Sequence, residues 1–154
     1  MKSEPIEKTL NITPYKLNAY SSALLQGTAY SRLHTYLSRT LVPFNLSIPE
    51  WKLLGQLYEH GRVKLSELAE LLSYDPPMVT KLAKMLEKKE LVKRLPDELD
   101  ERAKVISNTV QGKKLIEQIE PEVKKTMAIL LKGTSTEELH VYIKVLTLIV
   151  NNTY

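Results

Sequence analysis

Apolar residues recur at helical spacing through the first quarter of the chain. The stripe that they form consists of Leu17, Tyr20, Leu24, Gly27, Tyr30, Leu33, Leu37 and Leu41. Positions three and four residues apart lie on one face of a helix, so the stripe predicts a long amphipathic helix. Thr13 and Pro14 provide an N-cap and a first helical residue, and Pro43 ends the pattern. We therefore predict a helix over residues 13–41.

Two shorter apolar stripes follow each other closely in the middle of the chain. The first is Leu65, Leu68, Ala69 and Leu72, and the second is Val79, Leu82, Ala83 and Leu86. Asp75 and Pro76 lie between them and fit an N-cap followed by a first helical residue. On the second helix, Thr80, Lys81, Lys84 and Lys88 fall outside the apolar stripe. The pattern predicts a helix-turn-helix that can place its second helix in a DNA major groove, although a solvated surface helix explains the lysines equally well.

A hairpin after the second helix favours the DNA-binding interpretation. Residues 91–95 and 103–107 are predicted strands, and residues 96–98 between them are typical of a turn. Arg102 lies where the hairpin bends back, and an arginine on a projecting loop can enter a narrow minor groove. Asp100 is close enough in sequence to pair with Arg102 and orient it. The alternative for these two residues is an exposed ion pair of little energetic weight.

Capping residues and charge pattern predict the neighbouring elements. Residues 47–50 form a capping box with a proline in the first turn, which begins a helix that ends at Gly61. Residues 62–64 suit a short third strand beside the hairpin. Thr109 can cap a helix that extends over residues 110–132.

The last helix is apolar on more than one face. Its N-cap is either Thr134 with Glu137 or Ser135 with Glu138. Its main stripe is Leu139, Tyr142, Ile143, Leu146, Ile149 and Val150, and other faces carry Val141, Val145 and Leu148. Such a helix needs burial on more than one side, and in a chain of this length a partner subunit would provide it.

The motifs of the central segment resemble those of the MarR family of bacterial and archaeal transcription regulators. The resemblance runs without a gap from about Trp51 to Gly112. In the helix-turn-helix, Leu68-Ala69 with Glu67 in front resembles the family's E-L-A, and residues 79–82 resemble its V-T-R-L. At the start of the wing, residues 90–94 resemble its G-L-V-x-R. At the end of the wing, residues 100–102 resemble its D-x-R, and Thr109 and Gly112 fit its L-T-x-x-G. Each motif alone is weak, whereas their order and spacing together are specific.

This resemblance implies a winged-helix DNA-binding dimer built as a single domain over residues 1–154. Its winged-helix part would span residues 44–108, and its helical dimerisation part would span residues 13–42 and 109–152. The implied fold class is mostly α with a small β wing. MarR-like regulators often bind small, frequently aromatic, anions in the cleft between these two parts.

Four residues or pairs depart from the family pattern. Pro76-Pro77 replaces small polar residues that often donate to phosphates. Lys81 replaces an arginine, which removes bidentate geometry. Glu90 stands where the motif has glycine. Asn108 replaces the leucine that usually closes the wing, which predicts a looser hairpin.

Composition excludes several classes of protein. The chain has 154 residues, a net charge of +4 and no cysteine, so disulfides and thiolate nucleophiles are excluded. No apolar run is long enough to span a bilayer, and the first residues lack the apolar core of a signal peptide. We expect a cytoplasmic protein with no membrane partner. The positive charge is a modest bias toward anionic partners.

The candidate site residues belong to two groups, and neither is catalytic. The DNA-binding candidates are Ser73, Tyr74, Thr80, Lys81, Lys84, Arg94, Asp100, Arg102 and Lys104. The ligand-pocket candidates are Tyr20, Tyr30, Tyr36 and Tyr58. The alternative for these tyrosines is half-buried packing with a solvated hydroxyl. The three histidines have no ligand spacing, so we expect no metal, no cofactor and no enzymatic activity.

From these features we predict a sequence-specific regulator that binds double-stranded DNA. It would act as a homodimeric repressor, relieved by a small aromatic or anionic effector. The alternative of a different class is a winged-helix protein-interaction module that does not bind DNA, which Pro76-Pro77 and Asn108 favour.

Overall fold

The computed structural model describes residues 19–96 and 104–153. The helices are α1 (Ala19–Leu41), α2 (Ile48–His60), α3 (Leu65–Leu72), α4 (Pro76–Lys88), α5 (Val110–Leu130) and α6 (Thr136–Asn152), with a short 3₁₀ helix over Val42–Phe44. The strands are β1 (Val63–Lys64), β2 (Val92–Pro96) and β3 (Lys104–Asn108). This order confirms the predicted mostly α fold with a small β wing. The predicted start of the first helix, residues 13–18, lies outside the described residues.

The three strands form one antiparallel sheet in the order β1-β3-β2. Val63 pairs with Ile106, which confirms the predicted third strand. Strand β2 begins one residue later than predicted, and the predicted start of the second hairpin strand, Ala103, lies outside the described residues. The reason at β2 is that the Leu91 N–H donates to the Leu86 carbonyl at 3.0 Å and closes α4 instead of joining the sheet.

The hydrophobic core lies between α2, α3, α4, the first turns of α5 and the sheet. Its largest fully buried side chains are Leu41, Leu53, Leu54, Leu57, Leu68, Leu86, Ile106, Ile119 and Val79. Between Ala19 and Leu41 only Leu41 is buried, and no residue of α6 is buried within this chain. The apolar residues of the last helix are therefore not covered within the single chain. In the part of the chain that the structure describes, no helix has the length and apolarity to cross a membrane.

Local caps set the boundaries of the helices. At α2 the Ser47 N–H donates to Glu50 Oε2 at 2.8 Å, and the Glu50 N–H donates back to Ser47 Oγ at 3.4 Å. At α6 the capping box uses Ser135 and Glu138, the second of the two predicted pairs. Gly61 ends α2 with a φ of 79°, as expected of a glycine C-cap.

A buried ion pair joins the start of α2 to the end of α4. The Glu50 carboxylate is buried, and its Oε1 accepts a hydrogen bond from Lys89 Nζ at 2.8 Å. The same ammonium donates to the Asn45 carbonyl at 2.7 Å, and Ser47 Oγ donates to Glu50 Oε2 at 2.8 Å. Burial acts to raise the pKa of Glu50, but these hydrogen bonds and the Lys89 charge outweigh burial and hold the pKa below its usual value.

The connection from α4 to the wing passes through a left-handed residue. Glu90 has a φ of 59°, and its N–H donates to the Glu87 carbonyl at 2.9 Å. Together with the bond from Leu91 to Leu86, this is the Schellman arrangement that usually carries glycine. A side chain in this conformation costs about 1–2 kcal/mol, so Glu90 adopts it at a cost that the family's glycine avoids.

The start of α5 closes on this same connection. The Thr109 N–H donates to the Leu91 carbonyl at 3.0 Å, and Thr109 Oγ1 donates to the Glu90 carbonyl at 2.7 Å. The Gly112 N–H in turn donates to Thr109 Oγ1 at 3.1 Å. A Cβ on Gly112 would lie 2.1 Å from the Leu91 carbonyl oxygen, so this position requires glycine for close backbone approach.

The prediction that Asn108 loosens the hairpin is wrong. Asn108 is buried at the base of the wing and pairs with Val92 in the sheet. Its Nδ2 donates to the Leu54 carbonyl of α2 at 3.0 Å, while its Oδ1 has no hydrogen-bond partner among the described residues. The amide therefore anchors the wing to α2 through a bond that leucine could not make.

Candidate nucleic-acid interface

The turn between α3 and α4 is three residues long and is fixed by backbone bonds. Ser73 has a φ of 53°, and its N–H donates to the Glu70 carbonyl at 3.0 Å. The Tyr74 N–H donates to the Ala69 carbonyl at 3.0 Å and completes the end of α3. Asp75 then caps α4, because its Oδ1 accepts from the Met78 N–H at 2.7 Å. The predicted helix-turn-helix and its N-cap are confirmed.

The two faces of α4 differ in burial and charge. One face buries Val79, Leu82, Ala83 and Leu86 against the core. Thr80, Lys81 and Lys84 lie together on the outer face, where Thr80 is half-buried and both lysines are exposed. This face forms a shallow concavity of about 700 Å³. Its shape and charge suit an anionic partner that lies along the helix.

Four residues that line this face are not among the predicted DNA-binding residues, namely Pro76, Pro77, Met85 and Lys88. They line the same concavity as Thr80 and Lys81. Lys88 was predicted to lie on the polar face of the helix, because it follows Lys84 by one helical turn, but not to bind DNA. Pro77 was noted only as a departure from the family pattern.

Tyr74 is held beside the turn by a residue of α2. The Lys52 ammonium lies 4.9 Å from the centroid of the Tyr74 ring, within the range of a cation–π contact. Ser73 is exposed and Tyr74 is half-buried. Lys52 therefore adds a positive charge near both predicted residues. The sequence did not indicate that Lys52 lies near Tyr74, because β1 and α3 separate the two residues along the chain.

Arg94 is bound to α4 and does not extend from the end of the wing. Its Nε donates to Glu87 Oε2 at 2.9 Å, and Nη2 contacts the same oxygen. The hydrogen bond from Arg94 holds the pKa of Glu87 below its usual value, against a small opposing effect of burial, and the charge of Lys104 acts in the same direction. Lys104 is exposed at the start of β3. The pair fixes β2 against α4. Asp100 and Arg102 lie outside the described residues.

The four candidate tyrosines occupy two separate places. Tyr20, Tyr30 and Tyr36 are exposed along α1. Tyr58 lies on α2, and its hydroxyl donates to Glu117 Oε1 at 3.2 Å. This hydrogen bond and the charge of the carboxylate raise the pKa of Tyr58. Within one chain the structure does not bring the four tyrosines into one pocket.

A cavity of about 620 Å³ lies beside Tyr58, between α2 and α5. Its walls include Trp51 and the carboxylates of Glu59, Glu117 and Glu120. Within residues 19–96 and 104–153, no group of three or more histidine, aspartate or glutamate residues could hold a metal ion. Three glutamates against Lys52 give the lining of this cavity a net negative charge.

Comparisons with known proteins agree with this geometry. The MarR family model matches residues 46–104, which contain the helix-turn-helix and most of the wing. Over 110 residues the chain is 29% identical to the uncharacterised HTH-type transcriptional regulator YhbI of Bacillus subtilis, a match that covers 71% of each chain. Over 86 residues it is 35% identical to the HTH-type transcriptional repressor MdtR of the same organism, with 56% of each chain covered.

A solved structure extends the likeness beyond the helix-turn-helix. The Staphylococcus aureus MepR–DNA complex aligns with a TM-score of 0.76 and 26% identity, covering 84% of this chain and 96% of that one. The shared region therefore includes helices on both sides of the wing. Residues 46–104 therefore form a MarR family region, and the chain as a whole is similar in fold and sequence to winged helix-turn-helix transcriptional regulators.

Proposed function

We propose that this protein is a homodimeric repressor that binds specific sequences of double-stranded DNA with α4 in the major groove. The observation that carries the proposal is the outer face of α4, where Thr80, Lys81 and Lys84 lie together opposite a fully buried apolar face. Relatives named as a repressor and as a DNA complex support the same function. Arg102, held by Asp100, would enter the minor groove beside it.

The alternative, a protein-interaction module without DNA binding, loses one of its two supports. Asn108 is accounted for as an internal anchor to the Leu54 carbonyl, so it does not indicate a loosened wing. The other support for this alternative, Pro76-Pro77, remains. The two prolines are also consistent with a DNA-binding surface that contacts bases more than phosphates.

The test of DNA binding is its dependence on salt. A duplex selected by the protein from a random library should bind less tightly as salt rises, because each neutralised phosphate releases counterions. Lys84→Ala should weaken binding to selected and random duplexes alike and lower the salt slope by about one unit. Lys81→Ala, if the lysine reads a guanine edge, should cost roughly 1–3 kcal/mol on the selected duplex only.

A control variant separates charge from position in that experiment. Lys124→Ala removes the same charge from the exposed surface of α5, outside the helix-turn-helix and the wing. We expect its salt slope to equal that of the unmodified protein. Competition titrations at several salt concentrations measure all three variants. Affinity that is independent of both salt and sequence would contradict the proposed function.

Dimerisation would cover the exposed apolar faces of α1 and α6. Leu24, Leu25, Val141, Ile143 and Val150 are each more than half exposed in the single chain. Large apolar side chains exposed in this number on two helices indicate an interaction site, and the proposed dimer would bury them.

Ile143→Asp should weaken the dimer by roughly tenfold or more, because it places a charge in a desolvated interface. DNA binding should weaken with it, since each subunit supplies one α4. Lys144→Asp is the control, because Lys144 belongs with His140, Thr147 and Asn151 to the polar stripe of the same helix. Sedimentation velocity measures association. An unmodified protein that sediments as a monomer at micromolar concentration would contradict this prediction.

A small effector completes the proposal. The cavity beside Tyr58 offers two aromatic side chains, Trp51 and Tyr58, on the helix that precedes the helix-turn-helix. Lys52 lines this cavity and also lies over the Tyr74 ring. A molecule bound there would therefore meet a side chain that contacts the turn before α4. The glutamates of the cavity favour an aromatic molecule that is neutral or positively charged.

A further inference from the structure

Two consecutive prolines change what the N-terminus of α4 can bind. Pro76 and Pro77 occupy its first two helical positions and have no N–H. The N–H of Met78, at the third position, already donates to Asp75 Oδ1 at 2.7 Å. The first three positions therefore offer no backbone N–H to a phosphate, although helix N-termini commonly bind anions through such groups. The carboxylate of Asp75 further disfavours an anion there.

This end of the helix instead presents an exposed apolar surface. Pro76 and Pro77 are both exposed, and with Thr80 they line one end of the concavity on α4. Pro77 precedes Thr80 by three residues and Lys81 by four, so it shares the face proposed to meet DNA. Exposed lysines follow on the same face, at Lys81 and Lys84. The apolar surface is thus set within a positively charged one.

We propose that Pro77 contacts the C5 methyl groups of thymines in the operator and so determines part of its sequence. The inference rests on the proposed function. In a helix-turn-helix the N-terminal residues of the second helix contact base edges, which is where Pro77 lies. In the major groove thymine alone among the four bases presents a methyl group, and apolar side chains contact it. The proline ring has no rotamer freedom to lose when it makes this contact.

Removal of single methyl groups from the DNA tests the inference. The probe is the duplex that the protein selects from a random library, with each thymine replaced in turn by deoxyuridine. This change deletes the methyl and leaves all hydrogen-bonding groups in place. At one or two positions in each half-site we expect affinity to fall roughly fourfold, the equivalent of ~0.8 kcal/mol for one buried methylene.

The variant Pro77→Ala assigns the effect to this residue. It should bind the thymine and deoxyuridine duplexes with equal affinity at the sensitive positions. Pro49→Ala is the matched control, because Pro49 occupies the same second position of α2, which begins at Ile48. Pro49→Ala should keep the full sensitivity to the methyl group. Thermal unfolding of both variants measures any general effect of losing a proline at a helix start.

Two results would overturn the inference, and both differ from failure of the proposed function. The first is an unmodified protein that prefers its selected duplex but is insensitive to every deoxyuridine replacement. The second is sensitivity that persists undiminished in folded Pro77→Ala, which would assign the methyl contact to another side chain. If the protein instead shows no preference among duplexes and no salt dependence, the proposed function itself fails.

Discussion

Gly112→Ala should destabilise the fold by about 3 kcal/mol or more, which is at the upper end of the cost of overpacking. The new Cβ would lie 2.1 Å from the Leu91 carbonyl oxygen and 3.1 Å from its carbon. Both atoms belong to backbone that also accepts the Thr109 N–H, so they cannot move without breaking that bond. The start of α5 must therefore separate from the end of α4. Chemical denaturation monitored by circular dichroism measures the loss.

Gly55→Ala is the matched control for this substitution. Gly55 lies inside α2, and a Cβ there meets no atom within 4 Å. Because alanine favours helix over glycine by about 1 kcal/mol, this variant should be as stable as the unmodified protein or more so. If Gly112→Ala proved equally harmless, the close approach of α5 to Leu91 would not exist in solution.

Lys89→Met should destabilise the protein by about 2–4 kcal/mol, because it leaves the Glu50 carboxylate buried without its counterion. Glu50 is only 2% exposed, and Lys89 supplies its one ion pair among the described residues. Methionine keeps the apolar length of the lysine, so the loss reports mainly the charge. Lys88→Met is the control, since Lys88 is the exposed neighbour at the end of the same helix. We expect that change to have little effect on stability.

The same pair predicts how this difference depends on pH. The pKa of Glu50 is lowered in the folded protein, so its contribution is complete above the unfolded pKa of about 4.3 and is lost as the pH falls through the folded value. The stability difference between the unmodified protein and Lys89→Met should therefore be largest near neutral pH and shrink in acid. A difference that stays constant from neutral pH to pH ~3 would show that the ion pair does not carry the effect.

Features that depend on neighbours in sequence could be predicted. Asp75 and Met78 are three residues apart, as are Ser47 and Glu50, so residue type alone indicates both caps. The helix-turn-helix and the basic face of α4 follow from the same short-range spacing. The first residue of β2 could not be predicted. The side chain of Leu91 is typical of a strand, but its N–H donates to the Leu86 carbonyl of α4 and not to the sheet.

Contacts between distant parts of the chain could not be predicted. In the sequence, Asn108 is a polar residue in place of an apolar one, which predicts a weaker wing. Only the fold shows that its amide lies 3.0 Å from the Leu54 carbonyl. The sequence predicts that Arg94 binds DNA, whereas the structure shows that it binds the Glu87 carboxylate of α4. The tyrosines on α1 are exposed in the single chain, and sequence spacing could not show that they lie apart from Tyr58. Pair geometry of this kind depends on tertiary packing, for which local spacing carries no signal.

The bonds that Thr109 makes to the Glu90 and Leu91 carbonyls also attach the start of α5 to the connection that follows α4, and so restrict the direction in which α5 leaves it. A helix of 21 residues is about 30 Å long, so a tilt of about 5° displaces its far end by roughly 3 Å. In a dimer, the two copies of α4 must lie about one DNA turn apart, roughly 34–36 Å, to enter successive major grooves. Substitutions that change how α5 and α6 meet a second subunit should therefore alter the preferred number of base pairs between half-sites, although they touch no DNA.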